Sequence, residues 1–214
     1  TIDDPGAHEV LIELVAVGVC HTDLAVQNGD LPTNFPVVLG HEGAGTVKAV
    51  GEHVRDLAPG DKVVLSYGSC GHCRPCEEGD PAYCQDFEAL NFMNKRQGDE
   101  DAVFADGPNA AFFQQSSFAT LSIAHERNVV KIEEDVDIAL LGPLGCGIQT
   151  GAGAVLRTAK PQAGSALLVS GVGSVGMSAV MAARLAGCST IVAVDMSAER
   201  LELAKELGAT HSVE

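Results

Sequence analysis

Apolar and polar positions follow two regimes along the chain. From His8 to Val17 acidic and apolar residues alternate and then turn apolar, which predicts a strand. It ends at Gly18-Val19-Cys20-His21-Thr22-Asp23, and 27–36 is a loop rich in Pro, Gly and Asn. Thr46 to Val50 and Lys62-Val63-Val64-Leu65 predict further short strands, punctuated by Gly51, Gly60 and Asp61. Ser117 to Ile123 and Asn128 to Ile132 return to that pattern. Short β segments broken by glycine predict a partly open, barrel-like β domain. Residues 87–112, including Lys95-Arg96-Gln97-Gly98-Asp99-Glu100-Asp101, show neither period and read as an excursion near a cleft or surface. Residues 137–158 are rich in Ala, Leu and Gly and predict helix in both halves.

At Gly164 the texture changes. Ser165 to Ser170 is a continuous apolar run, as in a strand of a buried parallel sheet. Met177 to Ala186 predicts a helix ending at Gly187, and Thr190 to Asp195 a second buried strand. Ala198 to Leu207 predicts a helix capped by Ser197 and stopped by Gly208, and Thr210 to Val213 starts a third strand. The fold class is therefore mixed α/β, with a β domain over 1–147 and part of a parallel-sheet domain over 148–214.

Composition narrows the function. The chain has 214 residues, and its net charge of −16 argues against a nucleic-acid partner, because phosphate binding needs a basic surface. The acidic excess is spread along the chain and reads as a soluble acidic surface or as adaptation to high salt. No apolar run is long enough to span a bilayer, and Thr1 to Pro5 lacks the basic and apolar regions of a signal peptide. The expected location is cytoplasmic, where free thiols survive.

Four of the seven cysteines, Cys70, Cys73, Cys76 and Cys84, are spaced by two, two and seven residues in a Gly/Pro loop. Such a loop is a disulfide knot or a tetrathiolate zinc site, and the expected compartment favours zinc, held in a closed structural site. Cys188 reads as a small core thiol. On spacing alone Cys20, His41 and Cys146 read as ordinary buried side chains more readily than as ligands.

Gly171-Val172-Gly173-Ser174-Val175-Gly176 lies between a buried strand and a helix, and Asp195 ends the next strand, 24 residues after Gly171. In that context the motif is a dinucleotide fingerprint. Gly171 makes the turn, Gly173 lets the backbone approach the pyrophosphate, and Gly176 lets helix and strand pack closely. The helix N-terminus favours the phosphates. Asp195 would bond both ribose hydroxyls and repel a 2′-phosphate, which favours NAD over NADP.

The chain resembles the zinc-dependent medium-chain alcohol dehydrogenases over nearly its whole length. The resemblance rests on the GVCHTD run, the LGHEGAGTVKAVG run, the four-cysteine lobe, LGCGIQTG, and GVGSVG with its aspartate. NFMNKR, FFQQSSFAT and ERNVVKI look most like the aryl-alcohol (benzyl alcohol) branch. The resemblance implies a GroES-like catalytic domain followed by the first half of a Rossmann domain. It implies two zinc ions: a catalytic one on Cys20, His41 and Cys146, with Glu42 as a nearby or alternate ligand, and a structural one on Cys70, Cys73, Cys76 and Cys84. Asp23 would orient His41, and Thr22 would bond the substrate oxygen. His21, Thr150, Val175 and Arg200 would face NAD, and Phe92 is a candidate wall of the substrate pocket, though a plain loop-core Phe fits as well. His72, His125 and Glu9 are expected to be solvated.

Zinc would lower the pKa of a primary alcohol, hydride would pass to the nicotinamide, and an aldehyde would result. Ala25 stands where many relatives end the proton relay at a histidine, so the last base is unassigned. The family fold is longer than this chain at both ends, so the expectation is a fragment of a homo-oligomeric enzyme. Alternative readings are a glutathione-dependent formaldehyde or polyol dehydrogenase, or a zinc- and NAD-binding piece without catalysis.

Overall fold

The computed structural model describes residues 2–97 and 107–214. The chain divides into two compact units, Thr1–Cys146 and Gly147–Glu214. The expected excursion falls outside the described residues from Gly98 to Asp106. Its earlier part holds a short helix, Phe87–Asn91, that patterning had not suggested. Among the described residues, no helix is long and apolar enough to cross a membrane.

In the first unit, strands β1 (Glu9–Val17), β2 (Gly43–Val50), β3 (Lys62–Leu65), β4 (Leu121–His125) and β5 (Val129–Lys131) form one antiparallel sheet, in the order β4-β1-β2-β3-β5. Period-two alternation turns Val10 and Ile12 into a core with Val47, Val63, Leu65 and Ala124. Each such side chain contributes about 1.5–3 kcal/mol when fully buried. The β1–β2 register shifts twice, at Leu11/Ile12 and Leu14/Ala16. Shifts of this kind bend a strand, and here they curl the sheet into a half-barrel. Three helices join it: α1 (His21–Asn28), α2 (Arg74–Glu77) and α3 (Phe87–Asn91).

Three expectations change here. Helix α1 occupies a stretch that had no helical signal; it is eight residues long, and Gly29, at φ 83°, ends it. The strand expected from Ser117 begins at Leu121, because the Ser117 and Phe118 N–H groups donate to Gly40 O and Leu39 O in the loop before β2 instead of to a neighbouring strand. The first half of 137–158 is 3₁₀ turns, Ile138–Leu140 and Gly142–Gly145, because glycines and Pro143 deny it a continuous α-helix.

The second unit has a parallel sheet in the order β6-β7-β8: β6 (Ala166–Ser170), β7 (Thr190–Val194) and β8 (His211–Val213). Its helices are α4 (Gly147–Gly153), which runs on as a π-turn over Ala154–Ala159, α5 (Ser174–Leu185) and α6 (Ala198–Leu207). Val169, Ile191 and Ala193 meet Val180, Ala183, Leu201 and Ala204 in one core. Helix α5 starts at Ser174, directly after the glycine turn. Strand β6 differs from its expected burial: it is an edge strand, and Leu168 is 64% exposed.

Candidate active site

Four ligand-type side chains converge in the first unit. One ligand atom from each of Cys20, His41, Glu42 and Cys146 lies within 4.8 Å of the others. They come from the residue before α1, the loop before β2, and the end of the last 3₁₀ turn. Cys20 Sγ and Cys146 Sγ are 3.9 Å apart, and both thiols are free. Two thiolates at about 2.3 Å from one tetrahedral zinc ion would be about 3.8 Å apart. The sulfurs are therefore spaced for a shared metal and far beyond disulfide length.

His41 is 2% exposed, and its Nε2 has no hydrogen-bond partner. A buried ring nitrogen left unpaired costs free energy unless something binds it. Its other nitrogen is held: Nδ1–H donates to Asp23 Oδ1 at 3.1 Å. The same oxygen accepts from Gly40 N–H at 2.9 Å, and Asp23 Oδ2 accepts from Cys20 N–H at 3.2 Å. One buried carboxylate thus joins both ligand-bearing loops and sets the histidine tautomer.

The electrostatics point the same way. Burial works against a charged His41 ring, but the Asp23 carboxylate and the Cys20 sulfur outweigh it and raise its pKa to about 9. Cys20 falls to about 3, chiefly through Cys146 and then His41. Cys146 is pushed up by the Cys20 sulfur first, then by burial and Glu42. Two sulfurs and a carboxylate this close together repel one another when ionised, and a divalent cation among them and the imidazole nitrogen would remove that repulsion. The donor set fits zinc. Thr22 Oγ1 lies 3.7 Å from Cys20 Sγ, while His21 is exposed at the first turn of α1.

Rings close over His41. Phe113 stacks on the imidazole with centroids 4.6 Å apart and planes at 29°, and Phe112 meets it edge-on at 5.9 Å. Phe92 packs edge-on against Phe113 at 5.2 Å. The family resemblance had offered Phe92 alone, and no local pattern singled out Phe112 or Phe113. The left-handed backbone of Phe113 is costly for an aromatic residue and turns its ring onto the histidine.

Glu9, expected to be solvated, is 7% exposed and forms a bidentate ion pair with Arg96, at 2.8 Å to Nε and 2.5 Å to Nη2. Alternation had given Glu9 no partner, since Arg96 is 87 residues away. His125 is also part of the fold. Burial lowers its pKa, and Nδ1 accepts from Arg127 N–H at 3.2 Å. His72 is exposed.

The four-cysteine lobe is built differently. All four sulfurs lie within 4.8 Å of one another, with Cys70–Cys76 at 4.0 Å and Cys73–Cys84 at 3.9 Å, and none is in a disulfide. Backbone N–H groups already serve them: Cys70 N–H donates to Cys84 Sγ and Cys73 N–H to Cys70 Sγ. Cys73 is lowered to about 6, first by the Gln85 and Cys76 N–H groups, whereas burial raises Cys70, Cys76 and Cys84. Four thiolates at these separations need a cation, and the lobe fits zinc with no position left over. Cys188 packs partly buried against the second unit's core.

In the second unit the glycine turn has its expected form. Gly171 is left-handed at φ 82°. A Cβ on Gly176 would fall 2.0 Å from Gly171 O, while one on Gly173 would enter open space where a phosphate has room. Asp195 Oδ2 accepts from Val172 N–H at 2.8 Å and Oδ1 from Ser197 N–H at 2.9 Å, and these bonds hold its pKa down. Arg200 Nη1 is 4.0 Å from Asp195 Oδ2. Thr150 and Val175 are both exposed.

Comparison with known proteins agrees with this geometry. The profile of the alcohol dehydrogenase GroES-like domain matches residues 6–134, and that of the zinc-binding dehydrogenases matches 174–214. A geraniol dehydrogenase of Castellaniella defragrans is 48% identical, and the match covers all of this chain and 58% of that protein. The crystal structure of a benzyl alcohol dehydrogenase of Acinetobacter calcoaceticus has a TM-score of 0.93 at 49% identity, over 99% of this chain and 58% of that one. A zinc-binding dehydrogenase of Sinorhizobium meliloti bound to NADP has a TM-score of 0.78 at 30% identity, over 100% of this chain and 56% of that one. The chain thus spans a little over half the length of each of these relatives.

Proposed function

We propose that this chain, which belongs to the alcohol dehydrogenase family with a GroES-like domain, carries the metal centre and the adenosine side of the cofactor site of an NAD-dependent dehydrogenase for primary alcohols, aromatic ones above all. The observation that carries the reading is the buried, unpartnered Nε2 of His41 beside Cys20, Cys146 and Glu42. Zinc, when bound there, supplies a Lewis acid that lowers the pKa of an alcohol. NAD supplies the hydride acceptor.

The chain's own residues do the rest. Asp23 accepts from His41 Nδ1–H, so Nε2 is the ring nitrogen left to bind a metal, its proton displaced by the ion. The Thr22 hydroxyl, beside Cys20, takes the alcohol proton into a relay. Ala25 offers no base, so the group that ends the relay, a side chain or water, stays unassigned. Phe113 and Phe92 give flat substrate groups an aromatic wall and keep water from the metal. Benzyl alcohol and geraniol, named for two relatives, both carry the hydroxymethyl group next to unsaturated carbon. Asp195 and Arg200 face the adenosine ribose, and the acid disfavours a 2′-phosphate.

The test combines metal content, nucleotide titration and turnover. Two zinc ions per chain, tighter binding of NAD than of NADP, and oxidation of benzyl alcohol ahead of polyols and of the formaldehyde–glutathione adduct are expected. Preference for NADP or for a polyol would overturn the corresponding assignment. Metal and nucleotide uptake with no turnover would make the chain a binding piece of a longer enzyme.

A further inference from the structure

We propose that Gln115 is a positioning residue for the Cys20–His41–Cys146 cluster: one buried amide sets the peptide that carries His41 against the strand end that seats Cys146. The inference rests on the reading of that cluster as a metal site.

Gln115 is 1% exposed. Its Nε2 donates to His41 O at 3.0 Å and to Ser66 O at 3.1 Å. Its Oε1 accepts from Gly43 N–H at 3.1 Å and from Ser117 Oγ–H at 2.6 Å. Two donors and two acceptor sites are all that a carboxamide has, and all four are used inside the protein. The amino side faces two carbonyls and the carbonyl side faces two donors, so no carboxylate and no shorter amide fits the same place.

These partners decide what the clamp controls. His41 O and Gly43 N–H bracket Glu42, so the amide grips the peptide carrying two of the four ligand-type residues. Ser66 directly follows β3, and that strand end seats the third: a Cβ on Gly145 would fall 1.9 Å from Leu65 O and 3.7 Å from Ser66 Cα. The residue before Cys146 therefore lies directly on the backbone that Gln115 holds. Asp23 joins the Cys20 and His41 loops, and Gln115 joins the His41 and Cys146 supports. Without the second tie, the three ligands are not held to one geometry. The clamp itself is braced: Ser122 Oγ–H donates to Gln115 O at 2.5 Å, and left-handed backbones at Gln114 and Ser116 flank it.

The test uses cobalt(II) as the metal, because a site with two thiolates and an imidazole has a different visible spectrum from a four-thiolate site. The wild-type chain should take up two ions with both spectra. Gln115→Glu, isosteric but lacking the donors, should weaken cobalt binding at the cluster about 10–100-fold and change its spectrum, leaving the four-thiolate spectrum in place. Gln115→Asn should fall between the two. Should the glutamate variant not fold, Ser117→Ala decides, since it removes only the hydroxyl on Oε1; it should shift the cluster's affinity by a smaller factor and spare the lobe. An unchanged cluster in folded Gln115→Asn and Ser117→Ala would overturn the proposal. So would equal weakening of both sites in step with the melting midpoint, the mark of a merely structural residue. Uptake of a single ion by the wild-type chain would overturn the reading of the cluster, and this inference with it.

Discussion

The two sulfur clusters of this chain solve the same problem by opposite means. The lobe collects four thiols from 15 residues, Cys70 to Cys84, and steadies them mainly with its own backbone N–H groups. The second cluster draws its ligands from across 126 residues of chain and needs the side chains of Asp23 and Gln115 to hold them. The lobe's donors are all alike and saturate a tetrahedral ion. The other cluster mixes thiols, an imidazole and a carboxylate, is more deeply buried around His41, and lies under aromatic rings. A closed site can be made locally and tolerates solvent. The buried cluster instead gathers its donors from distant segments of the first unit.

The largest expected contrast comes from exchanging one ligand on each side. Cys146→Ser should lower benzyl alcohol turnover by on the order of 10³, the rate equivalent of several kcal/mol of Lewis-acid stabilisation, and leave the melting midpoint nearly unchanged. Cys73→Ser should instead cost more than about 4 kcal/mol in urea denaturation, as loss of a structural metal does. The reverse pattern would exchange the roles of the two clusters.

A buried ion pair outside both clusters ties the start of β1 to the loop after α3. Arg96→Met leaves the Glu9 carboxylate unpaired at 9% side-chain exposure and should cost about 3–5 kcal/mol. Replacing Glu9 by Met as well should recover part of that loss. Equal instability of single and double variants would show that packing, not charge, is what Arg96 supplies.

Asp23→Asn is gentler, because the amide can keep one acceptor on His41 Nδ1 but loses the charge. Zinc affinity of the cluster should fall about 10–100-fold while the lobe keeps its ion, measured by stepwise release to a chelator.

The smallest effect concerns acid. Burial, set against Glu126 and Glu9 and aided by His8 and Arg127, holds His125 below its ordinary pKa. A histidine depressed in the folded state stabilises the protein above the unfolded value, near 6.5, and loses that contribution as pH falls through the folded one. Protonation of Nδ1 also removes the acceptor that caps Arg127 N–H. The Arg127 guanidinium lies against the lobe, where a Cβ on Gly71 would fall 2.5 Å from Arg127 Cζ. A slight drop in melting midpoint from pH 7 to pH 5 is expected, smaller in His125→Asn, which keeps a capping oxygen. An identical drop in both would remove His125 from the account.

Much of this was legible in the residues themselves. The strands of the second unit, its glycine turn, Asp195 and the thiol lobe all depend on neighbours within about 25 positions, so periodicity and spacing carry them. Helix α1 was not legible, since its eight residues make only about two turns between a strand and a glycine. The 3₁₀ turns after Asp137 were not legible either: their composition is helical, and Pro143 with the glycines beside it overrides it. Glu9 and Phe113 failed for a shared reason. Each looks ordinary locally and gains its meaning from a residue 72 to 87 positions away.

Local sequence thus pointed to a four-thiol lobe, a glycine turn between strand and helix, and short strands of both sheet types. Family resemblance, not spacing, suggested that Cys20, His41 and Cys146 belong together. Tertiary folding is what brings them within 4.8 Å of one another, leaves Nε2 of His41 buried and unpaired, and closes all four hydrogen bonds of Gln115. The reason is physical: a pattern reports what a residue requires of its near neighbours, whereas ligand geometry and polar satisfaction depend on backbone groups that only sheet pairing and loop closure bring together.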